Sequence, residues 1–216
     1  MKYLPLLLAF VCKSVFAMCF VGGDSLSLGQ KPFIFDAFPN EVVRNPGNGR
    51  DTWHWLDKSP EWFSTTQYKI IYFDVGMWDI AHRCPTADNP WTLCPAPAPF
   101  AAPITTTPSQ FHTNIIQIVG IIRNLQPNAL IILASITPVP DGADGRTTAD
   151  GVSYNSVLTH TVEGVNDPHV MVDHLSSVIG PYDNLHKTPT NVHYTSAGYQ
   201  ILANHVIDVI NSHGGC

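Results

Sequence analysis

The chain has 216 residues, with 11 Lys and Arg against 17 Asp and Glu, a formal net charge of −6. That length fits one domain with a sizeable core, and the acidic balance argues against the basic stripe a nucleic-acid partner wants. Charged residues are sparse at 13% and prolines number 18, which suits a compact exported protein with ordered loops more than a disordered one.

Residues 1–17 read as a secretory signal. Lys2 opens the segment, Leu4 to Val11 is mostly apolar, and Val15-Phe16-Ala17 places small side chains at the −3 and −1 positions. The apolar run is shorter than the ~20 residues a membrane span needs. Residues 18–216 are therefore expected as the mature domain, secreted or periplasmic, monomeric, and without stable membrane insertion once the signal is cleaved. Losing Lys2 and Lys13 leaves nine basic residues against 17 acidic ones, a formal −8. Four cysteines remain: Cys19, Cys84, Cys94 and Cys216. Of their three pairings, Cys84–Cys94 would close a Pro-rich loop. Cys19–Cys216 would tie the two ends, since the first strand begins at the sheet edge toward which the last helix runs back. Free or intermolecular thiols are the alternative.

Apolar runs alternate with amphipathic stretches along the chain. Strands are expected at Met18–Gly22, Glu41–Arg44, Tyr68–Val75, Ala129–Ser135 and His169–Asp173. Helices are expected at Leu26–Phe38, Thr52–Phe63, Ser109–Leu125, Gly151–Glu163 and Thr195–Ser212. In the last, Ile201, Leu202, His205, Val206, Val209 and Ile210 recur at helical spacing, with Thr195 or Ser196 as cap. The pattern predicts an α/β fold: a single three-layer, doubly wound, parallel five-stranded sheet with the flavodoxin-like order 2-1-3-4-5. Ligands bind such sheets at the carboxyl ends of the strands, and Ser25 falls at one of them. Two long loops would border that edge. Residues 84–108 hold seven prolines, and 137–149 carry Asp141, Asp144 and Arg146.

Ser25 sits where the run Phe20-Val21-Gly22-Gly23 meets a helix start, and His193 sits just ahead of the last helix. A serine hydroxyl is a poor nucleophile until an imidazole takes its proton, so the two residue types suggest acyl transfer. Four separated blocks resemble the SGNH, or GDSL, hydrolase family: Gly23-Asp24-Ser25-Leu26, Asn45 to Thr52, Asp74-Val75-Gly76-Met77-Trp78-Asp79, and Val192-His193-Tyr194-Thr195-Ser196-Ala197-Gly198-Tyr199. The resemblance spans essentially the whole mature chain. It implies Ser25 as nucleophile, His193 as base, and the amides of Ser25 and Gly49 as the oxyanion hole, with no metal and no organic cofactor.

Two positions depart from the family pattern. Trp78 stands where the family has an Asn that donates to the oxyanion, and is read as a cleft wall or as an indole donor. Thr190 stands where the family has the Asp three residues before the histidine. Asn191, Thr190, a backbone carbonyl, or a carboxylate from Asp173 or Asp183 could orient His193 instead. Blander roles fit other residues: Asp24 orients the turn, Arg50 and Asp51 fix a loop, and Trp53, His54 and Trp55 belong to core more readily than to a sugar site. His169 and His174 lack a convincing third ligand for zinc. The expected function is hydrolysis of a small ester, with an acetylated polysaccharide as the substrate class. A lipase or lysophospholipase, and a non-catalytic carbohydrate-binding relative, are the alternatives.

Overall fold

The computed structural model describes residues 18–39, 51–84, 86–89, 92–94, 104–180 and 184–216. Four strands form one parallel sheet: β1 (Cys19–Gly22), β2 (Ile70–Asp74), β3 (Leu130–Ala134) and β4 (Val170–Asp173), hydrogen-bonded in the order β1-β2-β3-β4. The register runs Cys19 opposite Ile70, Ile70 opposite Leu130, and Ile131 opposite Val170. This is the 1-3-4-5 portion of the expected order. The sheet is thus four-stranded among the described residues, where five strands were expected. The missing strand, 41–44, lies outside those residues, as do the signal segment 1–17 and residues 85, 90–91 and 95–103 of the Pro-rich loop.

Among the described residues five α-helices cover the sheet: α1 (Ser25–Ala37), α2 (Thr52–Phe63), α3 (Pro108–Leu125), α4 (Thr148–Val165) and α5 (Ser196–Ser212). Alternation along the strands decides which helix each face meets. Phe20 and Phe73 point to α2, where Phe20 packs edge-on against Trp55 and Phe63, and Phe73 stacks on Trp55 at 4.7 Å. Tyr72 points the other way: its hydroxyl donates to Asp173, whose other oxygen meets His205 of α5. α1 packs on α5, while α3 packs on α2 and α4. With both faces covered, every residue of β1 and β2 is buried, which is why these strands read as unbroken apolar runs.

Local signals set the helix ends. Asp24, Asp51, Thr107, Thr147 and Thr195 each cap a helix through the side chain. At α3 the cap is a reciprocal pair, Thr107 with Gln110, and Pro108 occupies the first turn where its missing N–H costs nothing. Disulfides join Cys19 to Cys216, tying β1 to the end that follows α5, and Cys84 to Cys94.

Candidate active site

Ser25 opens α1 directly after β1. Its placement depends on a carboxylate from the neighbouring strand: Asp74, the last residue of β2, accepts the Asp24 backbone N–H at 3.0 Å. Asp24 in turn accepts the Leu26 amide at 2.8 Å. Only glycine fits at position 23, because a Cβ there would lie 1.4 Å from Asp74 Oδ1. Burial pushes the Asp24 carboxyl up to about 6, against the pull of the Leu26 amide and Arg146. The Asp74 carboxyl is driven well above the usual carboxylate range, first by burial and then by Asp24. The Leu26 amide is taken by Asp24, whereas the Ser25 N–H is one of the first-turn amides a helix leaves without an internal partner.

His193 arrives from the loop before α5. That loop is pinned by the Lys187 N–H on the His193 carbonyl at 2.9 Å and the Thr195 N–H on the Leu185 carbonyl at 2.7 Å. Ser25 Oγ and His193 Nε2 are 2.8 Å apart, and His193 Nδ1 lies 2.8 Å from Asn191 Oδ1. The same Asn191 oxygen accepts the His193 backbone N–H at 2.8 Å. A backbone N–H can only donate, so Asn191 must present oxygen, Nδ1 must carry the proton, and Nε2 is left to accept from Ser25. Burial holds the His193 pKa below its ordinary value; Asp144 opposes this, while Lys187 and Arg146 add to it.

The other sequence candidates fall as follows. Thr190 is exposed and makes no bond to the ring. Asp173 is committed to Tyr72 and His205, and Asp183 and Gly49 lie outside the described residues. Trp78 lines the cleft with Ser25 and His193, and the guanidinium groups of Arg83 and Arg146 lie over its ring at 5.3 and 5.2 Å. Asp79 is buried and accepts both the amide and the hydroxyl of Thr52, fixing the start of α2. Burial pushes its carboxyl up to about 6, the Thr52 bonds opposing the shift. Asp51 caps α2, Trp55 is fully buried, and Trp53 is about half exposed. Among the described residues no cluster of three or more His, Cys, Asp or Glu is arranged to hold a metal ion.

Two cleft residues carried no site role in the sequence reading. Asp144 has a left-handed backbone (φ 49°) and accepts the Val192 N–H at 3.3 Å. Arg146 is buried, donating from Nε to the Met77 carbonyl at 2.6 Å and from Nη1 to the Asp144 carbonyl at 2.7 Å. The available signal was two charged residues in the loop after a strand's carboxyl end, where ligands bind. The cleft they share with Ser25 and His193 encloses about 210 Å³.

Neither a family model nor a curated relative matches the chain. Solved structures do. A carbohydrate esterase family 3 protein from Talaromyces cellulolyticus superposes with a TM-score of 0.66 at 14% identity, covering 91% of this chain and 98% of that one. A GDSL-like lipase from Bacteroides thetaiotaomicron gives 0.63 at 15% identity, covering 90% and 88%. A member of the lipolytic protein G-D-S-L family from Veillonella parvula gives 0.65 at 13% identity, covering 90% and 98%. The fold is that of the GDSL-type hydrolases. Matches this distant in sequence speak to the fold alone, and the chemistry has to be argued from the side chains.

Proposed function

We propose that the chain is an exported serine esterase that removes small acyl groups, acetyl foremost, through a covalent acyl-enzyme. The observation that carries this reading is the unbroken relay from Ser25 Oγ to His193 Nε2 and from His193 Nδ1 to Asn191 Oδ1, each step 2.8 Å. Ser25 attacks the ester carbonyl while its proton passes to Nε2. His193 then gives that proton to the departing alkoxide, and water, deprotonated by the same nitrogen, releases the acid and restores Ser25. Asn191 holds the tautomer this requires. The Ser25 N–H, and by family resemblance that of Gly49, face the tetrahedral oxygen. No metal or organic cofactor enters the cycle as written.

The small cleft, lined by both polar and apolar side chains, supports a short acyl group over a lipid chain, since drug-sized ligands usually occupy about 300 Å³ or more. Likeness to a carbohydrate esterase supports an O-acetylated polysaccharide as the substrate class. Two disulfides suit an exported protein. No helix among the described residues is long and apolar enough to cross a membrane. A non-catalytic sugar binder using Trp78 as its platform fits less well, because that ring already carries two guanidinium groups.

The test is a panel of p-nitrophenyl esters of rising chain length plus acetylated xylan, run beside Ser25→Ala and with phosphonate labelling followed by peptide mapping. The expected result is hydrolysis falling steeply beyond acetate, a label on Ser25, and loss of both in Ser25→Ala with an unchanged melting temperature. Turnover retained in Ser25→Ala would remove Ser25 from the chemistry.

A further inference from the structure

An acyl-transfer site needs donors aimed at the oxygen that becomes negative in the transition state. At position 78 this chain carries an indole in place of a side-chain amide, so one such donor is missing from its expected place. The same cleft holds a cation beside Trp78. Arg146 is only 2% exposed, yet it lines the cleft beside Ser25 and His193. Its Nε and Nη1 each make one bond, to the Met77 and Asp144 carbonyls, and its Nη2 has no partner among the described residues. Among the described residues no carboxylate forms an ion pair with it. A guanidinium with an unspent Nη2, on a side chain nine-tenths buried in a cleft, is placed to receive an anion.

The surroundings hold the group rigidly. The Met77 and Asp144 carbonyls fix the plane of the fork, and the Trp78 ring supports it from 5.2 Å. Trp78 then serves as the bed on which the cation lies. Asp24, next to the reacting serine in sequence, and His193, bonded to its hydroxyl, both feel the Arg146 charge.

We propose that Arg146 is a catalytic residue that donates a charged N–H from Nη2 to the oxyanion of the tetrahedral intermediate, replacing the side-chain amide absent at position 78. The proposal rests on the esterase reading above. A donor of this kind acts when the carbonyl oxygen gains charge, so its loss falls on kcat more than on KM.

The experiment measures kcat and KM on p-nitrophenyl acetate for the full chain and for Arg146→Lys, Arg146→Ala and Trp78→Phe, with melting temperatures alongside. Guanidinium chloride is added to Arg146→Ala at concentrations that leave it folded. Arg146→Ala is expected to lower kcat about 100- to 1,000-fold with KM within about threefold, and added guanidinium restores at least tenfold of that. Arg146→Lys, read alone if the alanine variant does not fold, is expected to lose more than tenfold in kcat, because an ammonium lacks the planar fork. Trp78→Phe keeps a ring beneath the cation and loses less than tenfold. A kcat within threefold of the parent in Arg146→Lys, or a hundredfold loss in Trp78→Phe, would overturn the assignment. So would a loss confined to KM on an anionic ester such as p-nitrophenyl hydrogen succinate, which would make Arg146 a clamp for a substrate carboxylate. A parent chain that neither turns over acetate nor takes the phosphonate label at Ser25 defeats the esterase reading itself, an outcome distinct from any of these.

Discussion

Replacing Asn191 by Asp tests how the site manages without an acid. Asn191 Oδ1 already receives two hydrogen bonds, from His193 Nδ1 and the His193 backbone N–H. Its amide nitrogen donates to no described residue, so the substitution breaks no contact and adds a charge 2.8 Å from Nδ1. Two unit charges ~4 Å apart at an effective dielectric of ~20 attract by about 4 kcal/mol. The ring is only partly buried, and Asp144, bonded to the Val192 N–H, repels a new carboxylate. A charge-assisted hydrogen bond of about 1.5–3 kcal/mol is the realistic gain. At about 1.36 kcal/mol per unit, the His193 pKa rises by about one to two units and kcat on the pH plateau rises about 10- to 100-fold. The gain stays below the ~10⁴ lost by the Asp-to-Asn change in a chymotrypsin-type triad, which installs the wrong tautomer. Here the backbone N–H already forces Asn191 to present oxygen, and the tautomer is right. The assay is kcat/KM for p-nitrophenyl acetate against pH. In the parent the acid limb lies below the ordinary imidazole value of ~6.5, because activity needs neutral His193 and burial favours that form. In the variant it moves up. An unmoved limb would place the residue-191 side chain away from the ring and refute the geometry. A moved limb with an unchanged plateau would show that imidazolium stabilisation does not limit the rate.

Three further outcomes are expected. Asp24→Asn keeps an equally good helix cap and removes a buried carboxylate whose pKa is raised from 3.8 to about 6. A raised folded-state value means the charged form costs stability above that pH, so urea melts should show a gain of up to about 3 kcal/mol at neutral pH that vanishes below about pH 4; a gain independent of pH would contradict the electrostatic cause. Gly23→Ala drives a methyl into Asp74 and should destabilise by about 3 kcal/mol or more, with Asp74→Ala in the same chain recovering part of the loss; strict additivity of the two would show they do not collide. Replacing Cys19 and Cys216 by Ser opens a bond spanning 197 residues and should lower unfolding free energy by about 5 kcal/mol on the chain-entropy estimate. Acetate turnover should stay within about twofold, because the bond lies at the other end of β1 from Ser25.

What could be read from the chain was what repeats or abuts. Unbroken apolar runs such as Ile70 to Phe73 marked strands buried on both faces, the spacing from Ile201 to Ile210 marked α5, and a serine between Gly23-Asp24 and an apolar helix marked the turn that presents Ser25. Thr195 announced its helix as a cap. Bonds between elements distant in sequence left no such trace. Nothing in the order of residues says that Asp74 receives the Asp24 amide, that Asp79 holds Thr52, or that Asp173 is spent on Tyr72 and His205, because each depends on how strands and helices pack. For Asp144 and Arg146 the sequence placed the loop at the binding edge but not their contacts, which form only once β3 lies beside β2.

The two departures at positions 78 and 190 are easier to understand together than apart. A Ser–His pair in an acyl-transfer transition state separates charge: positive on the imidazole, negative on the carbonyl oxygen. Losing the carboxylate beside His193 removes support for the positive side, and burial then holds the His193 pKa below its ordinary value with Asp144 opposing it. Placing Arg146 in the cleft adds support to the negative side, and the same cation is among the charges holding His193 neutral. The two changes push the local potential in one direction, toward a site that binds the oxyanion strongly and the imidazolium weakly. Such a site keeps its base neutral, and so its serine ready, at more acidic pH than a carboxylate-backed triad could. An Asp at position 191 and a neutral residue at 146 should therefore add in their effect on the acid limb, both moving it up, while opposing each other in kcat, because the limb reports one charge and the barrier reports both.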